Sequence, residues 1–331
     1  MISKIYSIVV NGLESDLIEV EVDINNGLPT FNIVGLPDAG ISESKERLRS
    51  ALKSSNYKLP ASKITVNLAP GEKRKTGTGF DLPIGVGILQ NSGVIQDSDY
   101  FKDSIFVGEL SLDGSLRNVN SILPTVLGAM EKGFNNIFIP YDNYQEASII
   151  EGINIFAVKN LSQLVGFLNG DKSITNPDKI SLENIENSSK SNLDFKYILG
   201  QNQARRALEI AGAGLHNIVM SGPPGSGKTL LAKTFQTILP DLDMDEILEI
   251  SKIYSISGLL SKQNPLITSR PFRSVHHTAS SVSIVGGGNK ARPGEISLSH
   301  KGILFLDELL EFPKQVIEVL RQPLEDGEIT I

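Results

Sequence analysis

The octapeptide Gly222-Pro223-Pro224-Gly225-Ser226-Gly227-Lys228-Thr229 fills every fixed position of the phosphate-binding pattern G-x-x-x-x-G-K-[ST]. Such a loop works only between a strand and a helix, so it constrains the fold around it. The preceding run Asn217-Ile218-Val219-Met220-Ser221 reads as a buried strand, and Thr229-Leu230-Leu231-Ala232-Lys233-Thr234-Phe235 reads as a helix. Glycines let main-chain N–H groups turn inward around phosphate oxygens, and the helix N-terminus adds partial positive charge. In that arrangement the segment from Gly222 to Leu230 grips a triphosphate. Lys228 reaches the β- and γ-phosphates and the Thr229 hydroxyl takes a place on Mg²⁺.

A second motif lies 79 positions beyond Lys228. Ile303-Leu304-Phe305-Leu306 is a continuous apolar run, the mark of a parallel strand covered on both faces, and Asp307-Glu308 follows it. Ligands of α/β sheets sit at such strand ends. Asp307 is placed to hold the Mg²⁺ shell, and Glu308 to orient or deprotonate an attacking water. Together the two motifs point to a nucleoside triphosphate with Mg²⁺ as the ligand, which the family resemblance given below narrows to ATP.

The chain has 331 residues, enough for two domains. It has no cysteine, which excludes disulfides, thiolate metal sites and cysteine nucleophiles. The apolar stretch near the start, Ile5 to Val10, is too short for a signal peptide, and no segment approaches the length of a membrane span. A cytoplasmic location without a membrane partner is the expectation. Net charge is −7, with 14 Lys/Arg against 15 Asp/Glu over 194–331 and 17 against 23 before it. Contact with DNA would therefore need local basic patches, such as Lys73-Arg74-Lys75 or Arg270 with Arg273.

From Asp171 to Asn192 the chain is polar and rich in Ser and Asn, which reads as a linker. The region before it alternates apolar and polar residues in short runs. Strands are expected over 4–11, 17–24, 32–34, 63–69, 104–107, 136–139 and 153–158, with helices over about 42–54, 82–90, 121–132 and 161–167. Asp38 or Ser42 is placed to cap the first helix, with Glu46 as its capping partner. Gly108-Glu109-Leu110-Ser111-Leu112 and Gly294-Glu295-Ile296-Ser297-Leu298 look alike, but nothing around them repeats. The pair His276-His277, with His300, has the composition of a metal site. Neighbours on an extended segment point to opposite faces, however, and no tight ligand spacing completes the set.

With these residues in view, the chain resembles the ComM/YifB family, the Mg-chelatase-like AAA+ ATPases of bacteria. The resemblance runs along essentially the whole chain. In the second half it rests on Ile198-Leu199-Gly200-Gln201, Ala204-Arg205-Arg206-Ala207-Leu208-Glu209, the phosphate loop, Arg270 to Thr278, Pro293 to Leu298, and Leu306-Asp307-Glu308-Leu309 leading to Arg321-Gln322-Pro323-Leu324-Glu325. It implies an α/β chain with a Lon-protease-like α+β domain (ribosomal S5 domain 2-like) at 1–170, a polar linker at 171–193, and the first part of a P-loop AAA+ domain at 194–331. It also implies that Ile198 to Gln201 line the adenine pocket. The assembly it implies is a homo-hexamer with branched or single-stranded DNA in its centre, driven by ATP hydrolysis. A metal-chelatase subunit and a non-catalytic fragment are the alternatives. The His276-His277 segment then reads as a polar loop or as part of an inserted hairpin, with Gly286-Gly287-Gly288 as its turn.

Two departures from the family pattern matter. Lon-type proteolysis needs a serine and a lysine base, yet the segment matching the nucleophile loop, Gly77-Thr78-Gly79-Phe80-Asp81, has no serine, and the segment matching the lysine helix, Asn118 to Leu127, has no lysine. A non-proteolytic scaffold is the expectation. The sequence also stops soon after Glu308, before the sensor strand, arginine finger and lid of an AAA+ module. In the sheet order 5-1-4-3-2 the strand at 217–221 would then lose both neighbours, and each buried unpaired group costs about 1–3 kcal/mol. Weak ATP binding and poor hydrolysis are expected of the chain as it stands. Hydrogen exchange over 217–229 should accordingly be faster than in a C-terminally extended chain; equal protection would defeat this expectation.

Overall fold

The computed structural model describes residues 2–97, 99–179, 193–261, 263–288 and 292–327. The chain divides into two compact units, Met1–Ile180 with Leu260–Pro265, and Ser181–Leu259 with Leu266–Ile331. Most of the expected linker, residues 180–192, lies outside the described residues.

In the first unit, β1 (Ile2–Asn11) and β2 (Glu14–Asn25) form an antiparallel hairpin, followed by β3 (Thr30–Val34), α1 (Ser44–Ser54), β4 (Lys63–Ala69) and α2 (Asp81–Asn91). Next come β5 (Ser104–Phe106), α3 (Ile122–Glu131), β6 (Asn136–Pro140), β7 (Asn154–Val158) and α4 (Leu161–Leu168). The seven strands make one sheet in the order β3-β4-β2-β1-β5-β6-β7. β4 runs antiparallel to β2, while β3 is parallel to β4 and the three strands beyond β1 are all parallel. A mixed α/β architecture with parallel strands is therefore what the first half adopts, and each expected strand and helix is present within a few residues. Asp38 does cap a helix, accepting from the Ile41 N–H at 2.9 Å, but that helix is a single turn, Ala39–Ser42, ahead of α1.

Alternation explains the core. Ile18, Val20 and Val22 on β2 and Ile64, Val66 and Leu68 on β4 are buried at every second position, and α2 lies over that face with nearly every residue buried. Gly87 permits the close approach, since a Cβ there would sit 2.7 Å from Val22 Cγ2. On the parallel side, Phe106, Phe138 and Phe156 are register partners on adjacent strands, with centroids 4.7 Å apart at both steps. That distance is close to the strand spacing, so the rings stack as a ladder.

Several polar groups inside this unit are tied down. The buried Asp81 carboxylate receives the Arg47 guanidinium through two hydrogen bonds, 2.6 and 2.9 Å, as well as the Leu110 N–H at 3.1 Å and the Ser44 hydroxyl. One side chain thus links α1, α2 and the segment after β5. Lys75, expected within a basic patch, is fully buried with its ammonium donating to Pro70 O, and burial lowers its pKa. Lys73 pairs with Asp16. The segment matching the Lon lysine helix carries a buried Thr125, whose hydroxyl donates to Ser121 O at 2.7 Å. Residues 171–176, expected in the linker, pack with this unit: Asp171 and Lys172 donate to Gly166 O, and Asn176 bonds β7.

The second unit comprises α5 (Asn202–Gly214), α6 (Lys228–Phe235), α7 (Met244–Ser257), β8 (Phe272–Val275), β9 (Ile303–Leu306) and α8 (Lys314–Asp326). β8 and β9 pair in parallel, from Phe272 opposite Ile303 to Val275 opposite Leu306. The strand expected at 217–221 does not form: Val219 is 82% exposed and no ladder partner is present among the described residues. An extended segment without neighbours has no acceptors for its N–H groups except water, so the apolar run alone does not bury it. Gly286–Gly287 pairs with Arg292–Pro293 in a short antiparallel ladder, with the intervening residues 289–291 outside the described ones. Among the described residues no helix is long and apolar enough to cross a membrane.

The Asp81–Arg47 pair yields a stability prediction. Asp81→Ala leaves the partly buried Arg47 guanidinium without its partner and should cost up to about 3–5 kcal/mol in urea unfolding, while Arg47→Met/Asp81→Leu together should cost much less. Equal losses in the single and double variants would show that the pair is not the source.

Candidate nucleotide site

Two left-handed glycines shape the loop ahead of α6, Gly225 at φ +76° and Gly227 at φ +84°. Ser226 N donates to Pro223 O at 3.3 Å, closing a turn between them. No side chain caps α6, and its first intrahelical bond runs from Leu231 N to Gly227 O at 2.9 Å. The N–H groups of Lys228, Thr229 and Leu230 therefore have no acceptor within the helix. Ser226 Oγ is buried without a hydrogen-bond partner. A loop with free donors, an orphan hydroxyl and open space at Gly225 and Gly227 fits a phosphate chain.

Lys228 is the cation of this loop. Its ammonium donates to the loop's own carbonyls, Gly222 O at 2.9 Å and Pro223 O at 3.1 Å. These two bonds hold the side chain folded back over the turn, and they are what a phosphate oxygen would replace. Gln201, in left-handed conformation at φ +50°, donates from Nε2 to Ser226 O at 3.4 Å. Of the segment expected around adenine, Ile198 is buried in a cluster with Phe195, Leu208, Leu231 and Phe235, whereas Leu199 is 91% exposed. The structure thus brings Gln201 to the loop and sends Ile198 into the core.

The acidic pair follows β9. Ile303, the first residue of that strand, packs in the same cluster as Leu231 of α6, so strand and loop helix share a core. Glu308 leaves the strand in left-handed conformation at φ +54°, with its N–H donating to Asp307 Oδ1 at 3.1 Å. Its carboxylate Oε2 lies 3.2 Å from His277 Nδ1. This contact was not visible in the sequence, because it depends on the register of β8 against β9.

The remaining charged residues of interest are braces. Arg270 donates to Pro240 O (2.6 Å), Lys301 O (2.8 Å) and the Glu246 carboxylate (3.1 Å). Arg273 makes a two-pronged pair with Glu295 at 2.5 and 2.8 Å, which raises the guanidinium pKa. Neither arginine offers a free cationic face of the kind the sequence suggested. Burial pushes the neighbouring Tyr254 phenol up, and its hydroxyl donates to Leu298 O at 2.9 Å. His300 lies 3.3 Å from Glu249 and does not join the His276-His277 pair.

Residues 194–331 match the family described as "Magnesium chelatase, subunit ChlI", and residues 20–143 match "Subunit ChlI of Mg-chelatase". The competence protein ComM of Haemophilus influenzae is 43% identical over 329 residues, 99% of this chain and 64% of its own length. The uncharacterized protein YifB of Escherichia coli is 40% identical over 318 residues, 96% of this chain and 62% of its own. Lon protease 2 of Bacillus subtilis is a weaker relative, 25% identical over 189 residues, 51% of this chain and 33% of its own. These matches support an AAA+-type ATPase family. Within it, the chain belongs to the Mg-chelatase-like group that contains ComM and YifB. It spans a little under two thirds of the length of those two relatives.

The left-handed glycines give a test of loop geometry that needs no ligand. Nothing lies within 4 Å of a Cβ built on Gly227, so Gly227→Ala should cost only the conformational strain, about 1–2 kcal/mol in urea unfolding. An unchanged midpoint would mean that the loop does not hold this conformation in solution.

Proposed function

We propose that this chain supplies the phosphate-gripping part of an AAA+ ATPase that couples ATP hydrolysis to remodelling of branched DNA. The observation that carries the reading is the loop itself: two left-handed glycines, an orphan Ser226 hydroxyl, a helix N-terminus with free donors, and Lys228 poised over them. Magnesium, held by the Thr229 hydroxyl and the Asp307 carboxylate, would neutralise charge developing on the phosphates. The protein's own part is positioning. Gly222 to Leu230 bind the phosphate chain, Gln201 flanks the loop, and Glu308 takes the proton of the attacking water or orients it.

The wider setting follows the relatives. One is named a competence protein, which supports a role in handling incoming DNA, with ComM-type branch migration as the specific activity. We read the assembly as a homo-hexamer with DNA in its centre, and the first unit as a non-proteolytic, Lon-like scaffold. The segment matching the Lon lysine helix, Asn118 to Leu127, holds no lysine to act as a base. A second reading, ATP-driven insertion of Mg²⁺ into a porphyrin, is favoured by the name of the two matched families.

Isothermal titration with ATP and Mg²⁺ tests the site. Lys228→Ala removes charge-assisted bonds worth about 1.5–3 kcal/mol each and should weaken affinity at least on the order of tenfold; unchanged affinity would remove the reading. In the chain extended to the length of its relatives, branched DNA should stimulate ATP turnover. Stimulation by a porphyrin-binding partner, with none by DNA, would favour the chelatase reading.

A further inference from the structure

The described residues contain one cluster of metal-ligating side chains, His276, His277 and Glu308, with a donor atom of each within 4.8 Å of the others. Two features of the backbone assemble it. β8 and β9 end side by side, Val275 opposite Leu306, so the residues that follow emerge together. The chain then turns at once, with Ala279 N donating to His276 O at 2.9 Å. The turn cancels the alternation of an extended segment. Instead of facing opposite ways, the two imidazoles lie 4.0 Å apart at 36°.

The polar contacts are those of a cluster short of a ligand. His277 Nδ1 is buried and makes no hydrogen bond, although Glu308 Oε2 is only 3.2 Å away. That separation is also close to the spacing of about 3.3 Å between two donors on one tetrahedral ion with bonds of about 2.0 Å. The ring of His276 is held by Thr278, whose Oγ1 lies 3.0 Å from Nδ1, and Phe312 packs edge-on against His277. Ligating imidazoles are commonly oriented by such neighbours.

We propose that His276, His277 and Glu308 form a binding site for a zinc-class divalent cation, distinct from the Mg²⁺ position at Thr229 and Asp307. Two imidazoles and one carboxylate suit zinc, cobalt or nickel, whereas Mg²⁺ prefers six oxygens. Three protein donors leave the fourth position for water. An occupied site holds the Glu308 carboxylate on the metal, so it no longer accepts a proton from water. Zinc then inhibits hydrolysis, a consequence that rests on the role of Glu308 given above.

Titration of cobalt(II) alone into the nucleotide-free chain tests the site, because four-coordinate cobalt absorbs strongly in the visible. One equivalent should bind with that spectrum. His276→Ala and His277→Gln, checked for folding by circular dichroism, should each weaken binding by at least about tenfold. Lys228→Ala, which removes nucleotide but not metal donors, should bind cobalt as the parent does. Absence of saturable binding, or binding indifferent to both histidine variants, would overturn the site. In the length-extended chain, zinc should depress ATP turnover of the parent and spare His276→Ala. Metal binding that leaves turnover untouched would keep the site but overturn the role given to Glu308.

Discussion

Four pairs of residues in parallel register, Phe272–Val275 beside Ile303–Leu306, set the geometry of the second unit. The pairing delivers Asp307 and Glu308 to the same edge as His276 and His277, and it does so with few residues. Flanking contacts make up for that brevity. Ile303 is anchored with Leu231 and Phe235 of the loop helix, while Val275, Leu304 and Leu306 pack with Ile284, Phe312 and Val316. Arg270 and the Arg273–Glu295 pair fix the approach to each strand. Parallel strands cannot be joined by a tight turn, so the 27 positions between them carry the helical turns and the short glycine ladder instead.

The first unit is built on a different balance. Its sheet is covered by a nearly all-apolar helix, and the Arg47–Asp81 pair gathers three elements around the buried Asp81. A carboxylate so thoroughly engaged is a structural tie rather than a reagent. The same holds for Lys75, whose burial favours the neutral amine and whose donor is already directed at a backbone carbonyl. These features suit a rigid platform.

Period-two burial made the antiparallel part of the first unit readable: β2 and β4 each have one face on the core, and alternating residues such as Ile18, Val20 and Val22 announce it. The loop was readable for another reason, because its glycines and lysine have fixed offsets. What failed depended on neighbours. The run 217–221 is apolar enough for a strand, yet a strand is a property of pairs. Two nearly identical pentapeptides make the same point: Glu109–Leu110 lies in a strand, whereas Glu295–Leu298 forms a helical turn. Local propensity is the same in both, and tertiary surroundings decide. The histidine pair faces one way because the chain turns at His276, which the alternation of an extended segment does not anticipate.

One further consequence comes from Asn176. β7 is the last strand of the sheet, and a bare outer strand invites pairing with foreign chains. Asn176 donates to Ile155 O at 2.6 Å and accepts from Ala157 N at 2.9 Å, so one amide mimics an absent neighbour. Any intruding polypeptide must evict that plug before it can add to the sheet, which gives this flank a built-in guard against aggregation.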